Sequence, residues 1–315
     1  MEKDYLRISS TVLVSLLFGL ALVLVNSWFN QPGVEEVVPR STYLMVMIAL
    51  FFIDTVAFIF MQLYFIYDRR QFSNCILSLA FLSCLIYFVK TVIIIQQMIE
   101  GRLTSSVVQN DIAIYYLFRQ MSLCILIFLA LVNKVSENTK QRNLFSKKMT
   151  LCISLFFVLG GPIVAHILSS HYESYDLHIA ELTNENGQVV WKASYVTIMI
   201  FMWLTLLSVN LYFNGLRYDI WNGVTVIAFC AVLYNVSLLF MSRYSVSIWY
   251  ISRTIEVVSK LTVMVIFMCH IFSALRVTKD IAHRDPLTNI FNRNYFFNEL
   301  TVQSASAKKT PYCVM

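Results

Sequence analysis

Eight long apolar runs constrain the fold of this chain more than any other feature. They cover residues 8–29, 43–67, 72–96, 112–132, 149–169, 193–215, 223–240 and 247–275. Each is close to the ~20 residues that a helix needs to cross a bilayer. Because the runs are continuous rather than alternating, and lipid leaves no partner for an unpaired backbone group, each predicts a helix. The sequence therefore predicts an all-α polytopic membrane protein with eight transmembrane helices.

Composition and charge agree with a membrane protein. Only 13% of the 315 residues are charged, about half of the ~25% in ordinary soluble domains. If the runs alternate across the membrane, sixteen of the 24 Lys and Arg residues lie on the face that holds both termini, and four lie on the opposite face. Positively charged connections stay in the cytoplasm, so both termini are predicted to be cytoplasmic. The net charge of +6 thus reflects contact with membrane lipid rather than with nucleic acid.

Six ionisable residues lie inside the runs: Asp54, Lys90, Arg119, Arg253, Glu256 and Lys260. An ionised group at the membrane centre costs at least ~2.5 kcal/mol, so such groups face the protein interior and pair with one another. Arg253, Glu256 and Lys260 share one helix face at positions i, i+3 and i+7. We expect a polar cluster that joins the second, fourth and eighth runs, with Lys90 in the outer half of the third.

Two interpretations of this polar cluster remain open. It is either the bistable element of a sensor or a static ionic clamp whose long side chains reach toward the interface. A haem held by two histidines is not expected, because His166 lies near the outer end of the fifth run and His270 near the inner end of the eighth. The seven cysteines show no metal-ligand spacing, so no metal site is predicted.

The longest outer connection covers residues 170–192. It carries four carboxylates and two histidines: Glu173, Asp176, Glu181, Glu185, His171 and His178. These side chains are compatible with a cation or a small ligand. A solvated hairpin or a short interfacial helix that joins two spans explains the same composition.

The last run is predicted to continue as a helix over residues 276–284. Leu275, Thr278 and Ala282 recur at helical spacing and form a short seam that can pair with a second copy. Pro286 prevents unbroken continuation of the helix. A rigid helix that leaves the membrane and ends at a turn can transmit movement to whatever follows it.

Residues 284–297 read RDPLTNIFNRNYFF. This stretch resembles the DxLTxLxNR signature that opens the GGDEF domain of diguanylate cyclases, with an isoleucine at the second leucine position. The matching residues are Asp285, Leu287, Thr288, Asn292 and Arg293. Phe296 and Leu300 then lie on what looks like the first helix of that domain, and residues 311–315 look like the start of its first strand. The preceding region resembles the MASE-type membrane sensors that stand in front of such cyclases.

The resemblance implies three parts: an eight-helix sensor domain over 1–275, a signalling helix over 276–284, and the N-terminal fragment of an α/β GGDEF domain over 285–315. The family joins two GTP molecules into cyclic di-GMP with Mg, works as a homodimer, and here implies a bacterial inner membrane protein. Its metal and nucleotide ligands follow the first strand. We therefore assign no catalytic, cofactor-binding or metal residue within 1–315, and expect this stretch to be inactive alone.

The resemblance assigns Asp285 and Arg293 structural roles, and we expect a salt bridge between them. Two other functions stay open. A small-solute or ion transporter or channel would need a broken helix, and only Gly160-Gly161-Pro162 in the fifth run, where a kink is expected, indicates one. A dimerising regulatory membrane module without activity is the other.

Overall fold

The computed structural model describes residues 40–102, 104–139, 146–170, 175–183, 188–215, 220–239, 245–285, 288 and 290–306. Several predictions lie outside these residues: the first span at 8–29, the outer-connection residues His171, Glu173 and Glu185, the helix-ending Pro286, the motif residue Leu287, and the strand start at 311–315. Everything below refers to the described part of the chain.

The described chain is almost entirely helical. Its helices are α1 (Arg40–Tyr67), α2 (Phe72–Ile99), α3 (Ser105–Thr139), α4 (Lys147–Leu155), α5 (Gly161–Ile167), α6 (Ala193–Asn214), α7 (Trp221–Leu238), α8 (Ser245–His283) and α9 (Arg293–Ser306). Within the described residues, seven helical segments have the length and hydropathy to cross a membrane, with α4 and α5 counted as one. They correspond to the second through eighth apolar runs, so a polytopic α-helical membrane fold is confirmed.

The chain divides into two compact units, residues 1–267 and residues 268–315. In the first unit, α2, α3 and α7 are the central helices, because 61–67% of the most apolar stretch of each is buried inside the protein. The corresponding share is 28% for α1, for α4 with α5, and for α6. The outer helices thus turn large apolar side chains such as Phe52, Phe156 and Phe201 outward, as a lipid-facing surface requires.

The predicted break in the fifth run is a turn of π-helix. Phe156–Gly160 forms this turn between α4 and α5, and Pro162 lies at the start of α5. Proline has no N–H to donate, and a π turn is a common way to accommodate an interrupted hydrogen-bond ladder. A side chain at Gly161 would collide with the Tyr87 hydroxyl, so the glycine permits close packing of this span on α2.

The long outer connection contains a β-hairpin. Strands β1 (Ala180–Thr183) and β2 (Gln188–Trp191) pair antiparallel, with Ala180 opposite Trp191. Of the two predicted forms of this connection, the structure therefore shows the hairpin. Ile179 and Ala180 are buried, so the hairpin is packed at its base.

Candidate functional site

Five ionisable side chains meet between α1, α3 and α8. They are Asp54, Arg119, Arg253, Glu256 and Lys260, and none is more than 8% exposed. We call this set the ionic cluster. The helix spacing of 253, 256 and 260 turns those three side chains toward the bundle, because they share one face of α8.

Glu256 lies at the centre of the ionic cluster. One of its carboxylate oxygens is 2.7 Å from an Arg119 guanidinium nitrogen, and the other accepts a 2.5 Å hydrogen bond from Arg253. The Lys260 ammonium is 3.9 Å away. One carboxylate therefore ties α3 to two turns of α8.

The second carboxylate of the cluster comes from α1. Lys260 Nζ donates to Asp54 Oδ2 at 2.5 Å, while Asp54 Oδ1 is buried and has no hydrogen-bond partner among the residues that the structure describes. Burying an unpaired carboxylate oxygen is costly. The five residues carry three positive and two negative formal charges, so the carboxylates are shared among more cations than they can neutralise.

Aromatic rings complete the surroundings of the cations. The Arg119 guanidinium lies 4.3 Å from the centre of the Phe88 ring, and Lys260 Nζ lies 5.1 Å from it. Tyr116 lies 4.6 Å from the Arg253 guanidinium. Such contacts are stronger where water is excluded. Sequence reasoning missed both rings, although Tyr116 precedes Arg119 by three residues and therefore shares its helix face.

A neutral hydrogen-bond network adjoins the ionic cluster and joins α3 to α6 and α7. Gln120 Oε1 accepts from Trp203 Nε1 at 3.2 Å and from the Tyr234 hydroxyl at 2.9 Å. The Tyr116 hydroxyl donates to Asn235 Oδ1 at 3.3 Å. The sequence carries no signal for these pairs, because isolated polar residues in apolar runs do not reveal their partners.

Lys90 is the one predicted member that the structure leaves outside the cluster. It is partly exposed on α2 and forms no ion pair with the five clustered residues. Phe88 faces the cluster, and a residue two positions further along a helix points about 200° away. The rotation of α2 thus excludes Lys90.

In the second unit, the stretch that resembles the DxLTxLxNR signature lies between α8 and α9. We call its described residues, 284, 285, 288 and 290–292, the connecting turn. Two backbone hydrogen bonds close it, from Asp285 N to Ile290 O and from Asn292 N to His283 O, both at 2.8 Å. The Asp285 carboxylate accepts from the Thr288 backbone and hydroxyl, both at 2.9 Å.

Asn292 holds both ends of the connecting turn. Its amide nitrogen donates to Ala282 O in α8 at 2.6 Å. Its amide oxygen accepts from Tyr295 N at 2.9 Å, which caps the start of α9. The motif asparagine therefore determines how one helix leads into the next.

The prediction of a salt bridge between Asp285 and Arg293 is wrong. Asp285 uses its carboxylate on Thr288, and the Arg293 guanidinium lies 5.4 Å from the centre of the Phe297 ring. The reason is local: Arg293 begins α9 and Phe297 follows at i+4, on the same helix face. Phe296 and Leu300 are exposed in the described residues.

No group of His, Cys, Asp or Glu side chains within the described residues is able to hold a metal ion. His166, one of the two histidines considered for haem, lies with Nδ1 3.3 Å from the Tyr115 hydroxyl. The described part of the chain therefore contains two polar structures, the ionic cluster and the connecting turn.

Comparison with known proteins agrees with this division. Residues 39–275 match the family MASE4, described as a membrane-associated sensor, integral membrane domain. The whole chain is 97% identical over 315 residues to the probable diguanylate cyclase DgcT of Escherichia coli (strain K12), and covers 70% of that protein. No solved structure matched the chain. The chain therefore belongs to the MASE4 family of membrane-associated sensors, here in a relative of a probable diguanylate cyclase.

Proposed function

We propose that this membrane domain converts a signal from the membrane or its outer face into a movement of α8, which controls a cytoplasmic GGDEF domain beginning near Asp285. In the complete protein that domain would join two GTP molecules, with Mg, into cyclic di-GMP. The continuity of α8 carries the proposal. This helix is uninterrupted over 39 residues, from Ser245 to His283, with three ionic-cluster residues in one part and the connecting turn directly after its end.

The topology that we propose has eight spans, with residues 8–29 as the first, and both termini in the cytoplasm of a bacterial inner membrane. Two copies would pair through the last helix and the GGDEF region. In support, Leu275, Thr278 and Ala282 of the predicted seam are all exposed, and a helical seam of this kind pairs with a copy of itself. Fusions of a periplasm-active and a cytoplasm-active reporter after residue 315 test the orientation, and periplasmic activity would contradict it.

We further propose that the ionic cluster is the bistable element. Glu256 is shared between Arg119 on α3 and two cations on α8, so a small displacement of α3 changes which cation it pairs with. Discrete pairings of this kind give two packing states rather than a continuous deformation. A static clamp is the alternative.

The experiment measures cyclic di-GMP in cells that make the complete protein. We expect Asp54→Asn and Lys260→Met each to change the cyclic di-GMP level several-fold at equal protein level, because each removes one partner of a buried pair. Lys90→Met is the matched control, since Lys90 is a membrane cation outside the cluster, and it should leave the level unchanged. An unchanged cyclic di-GMP level in both cluster variants would contradict the bistable element and favour the static clamp.

A further inference from the structure

We infer that Tyr116 is the residue through which the outer β-hairpin acts on α8. The inference rests on the proposed function for its biological meaning, and on the contacts of one ring for its physical basis. The Tyr116 ring contacts the Trp191 ring of β2 in an edge-to-face arrangement, with 5.5 Å between the ring centroids and 78° between the ring planes. The same Tyr116 ring lies 4.6 Å from the Arg253 guanidinium and 5.2 Å from that of Arg119.

The hairpin is anchored to the same helix that carries Tyr116. Asn110 Oδ1 accepts from the backbone of Ile179 at 2.9 Å and of Ala180 at 3.2 Å. Asp111 accepts from the backbone and the hydroxyl of Ser170 at 2.9 and 2.7 Å. The Asn110 bonds hold the base of the hairpin on the first turns of α3, and the Asp111 bonds hold the residue that follows α5 there. A disturbance of β2 therefore reaches the Tyr116 ring through Trp191.

The Tyr116 ring is placed to pass such a disturbance to the ionic cluster. A guanidinium is attracted to the face of an aromatic ring and not to its edge, so the orientation of the ring affects how strongly it holds Arg253. Arg253 in turn donates to Glu256 at 2.5 Å, and Glu256 also pairs with Arg119 at 2.7 Å. A tilt of Trp191 therefore alters the balance between the two cations that share one carboxylate.

Plain core filling does not explain this set of contacts. Tyr116 is 7% exposed, and a ring that only fills space would be surrounded by apolar side chains. Instead, it contacts a hairpin tryptophan and two guanidiniums, and its hydroxyl donates to Asn235 of α7. It joins the hairpin, α3, α7 and the part of α8 around Arg253, and all of these contacts lie within the first unit.

A double-mutant cycle in the 315-residue chain, reconstituted in lipid nanodiscs, tests the relay. The variants are Trp191→Ala, Tyr116→Leu and the combination, and the readout is hydrogen–deuterium exchange of the α8 backbone over residues 250–262. We expect Trp191→Ala to speed exchange there by roughly threefold or more, and to add little when Tyr116 is already leucine, because contacting residues in one path are not additive.

The controls separate a relay from general loosening. Tyr212→Ala removes an exposed ring of α6 that packs edge-on against Phe213, and it should leave exchange in α8 unchanged. Trp191→Phe keeps an aromatic edge against Tyr116 and should restore slow exchange. Because these two variants and Trp191→Ala leave the buried Tyr116 intact, the comparison stands even if Tyr116→Leu fails to fold.

Two outcomes would overturn the relay: unchanged α8 exchange in Trp191→Ala, or an equal effect of that substitution with and without Tyr116. The proposed function is judged separately, from cyclic di-GMP made by the complete protein. Faster α8 exchange in Trp191→Ala without any change in cyclic di-GMP would support the relay and contradict the proposed function.

Discussion

The ionic cluster and the connecting turn both use charged or polar residues of α8 or its end, but they are built in opposite ways. In the cluster, Lys260 and Asp54 are 206 positions apart and fully enclosed. In the turn, the side chain of Asn292 bonds to Ala282, ten positions away, and the bond is exposed. The cluster therefore depends on the packing of the whole bundle, whereas the turn is a local structure that forms from its own sequence.

The largest effect that we expect is from Glu256→Gln. It leaves two buried guanidiniums without their shared carboxylate, and breaking a buried ion pair costs about 3–5 kcal/mol. Thermal and denaturant unfolding in detergent micelles measure the loss. Glu100→Gln is the control, because Glu100 pairs with Arg102 at 3.1 Å while 38% exposed, and a surface pair is worth below about 1 kcal/mol. Equal losses of stability in the two variants would contradict the expected difference between buried and exposed ion pairs.

The pair of Asp54 and Lys260 gives the next effect. Asp54→Asn and Lys260→Met should each lower the free energy of unfolding by about 3 kcal/mol, since each leaves one buried charge without its partner. The double variant should cost clearly less than the sum of the two, because it leaves neither Asp54 nor Lys260 buried without the other. Unfolding measurements on the wild type, the two single variants and the double variant complete this double-mutant cycle. Strict additivity would mean that the two side chains do not stabilise one another.

At the connecting turn, Asn292→Ala should cost about 1 kcal/mol, the usual value of a helix N-cap. The loss should be confined to α9, where the Tyr295 backbone N–H loses its acceptor, and amide exchange of residues 293–306 measures it. Asn292→Asp keeps the acceptor for Tyr295 and removes the donor to Ala282. Amide exchange in α9 should therefore be slower in this variant than in Asn292→Ala. A fall in the unfolding temperature of the membrane bundle would show that the turn is not local.

The smallest effect concerns the hairpin pair of Glu181 and Lys192. The Lys192 ammonium, 2.9 Å away, lowers the pKa of Glu181 from its ordinary value. A lowered folded-state pKa stabilises the protein above the unfolded pKa, and the benefit is lost as pH falls through the folded value. Wild type and Lys192→Met should thus differ slightly in unfolding temperature at neutral pH and converge in acid.

Salt should remove the Glu181 difference, since exposed pairs are screened. The loss in Glu256→Gln should persist in salt, because buried charges are screened much less. A salt-sensitive effect at Glu256 would contradict the enclosure of the cluster.

Much of the fold was predictable because the cost of placing backbone and charge in lipid depends on local composition. The bounds of α2 and α6 differ from the predicted runs by at most a few residues. The continuation of α8 to His283 followed from helical spacing and the position of Pro286. Arg253, Glu256 and Lys260 were assigned to one inward face because their spacing alone requires it.

The partners of those residues depended on information that no single segment contains. The sequence by itself determined which segments enter the membrane, which charges must turn inward, and where the α8 helix must end. Only the tertiary structure decided that Lys90 stays outside the cluster and that Phe88 and Tyr116 lie beside the cations. Burial is set by the apolar character of each helix, whereas pairing is set by how the helices rotate and pack against one another.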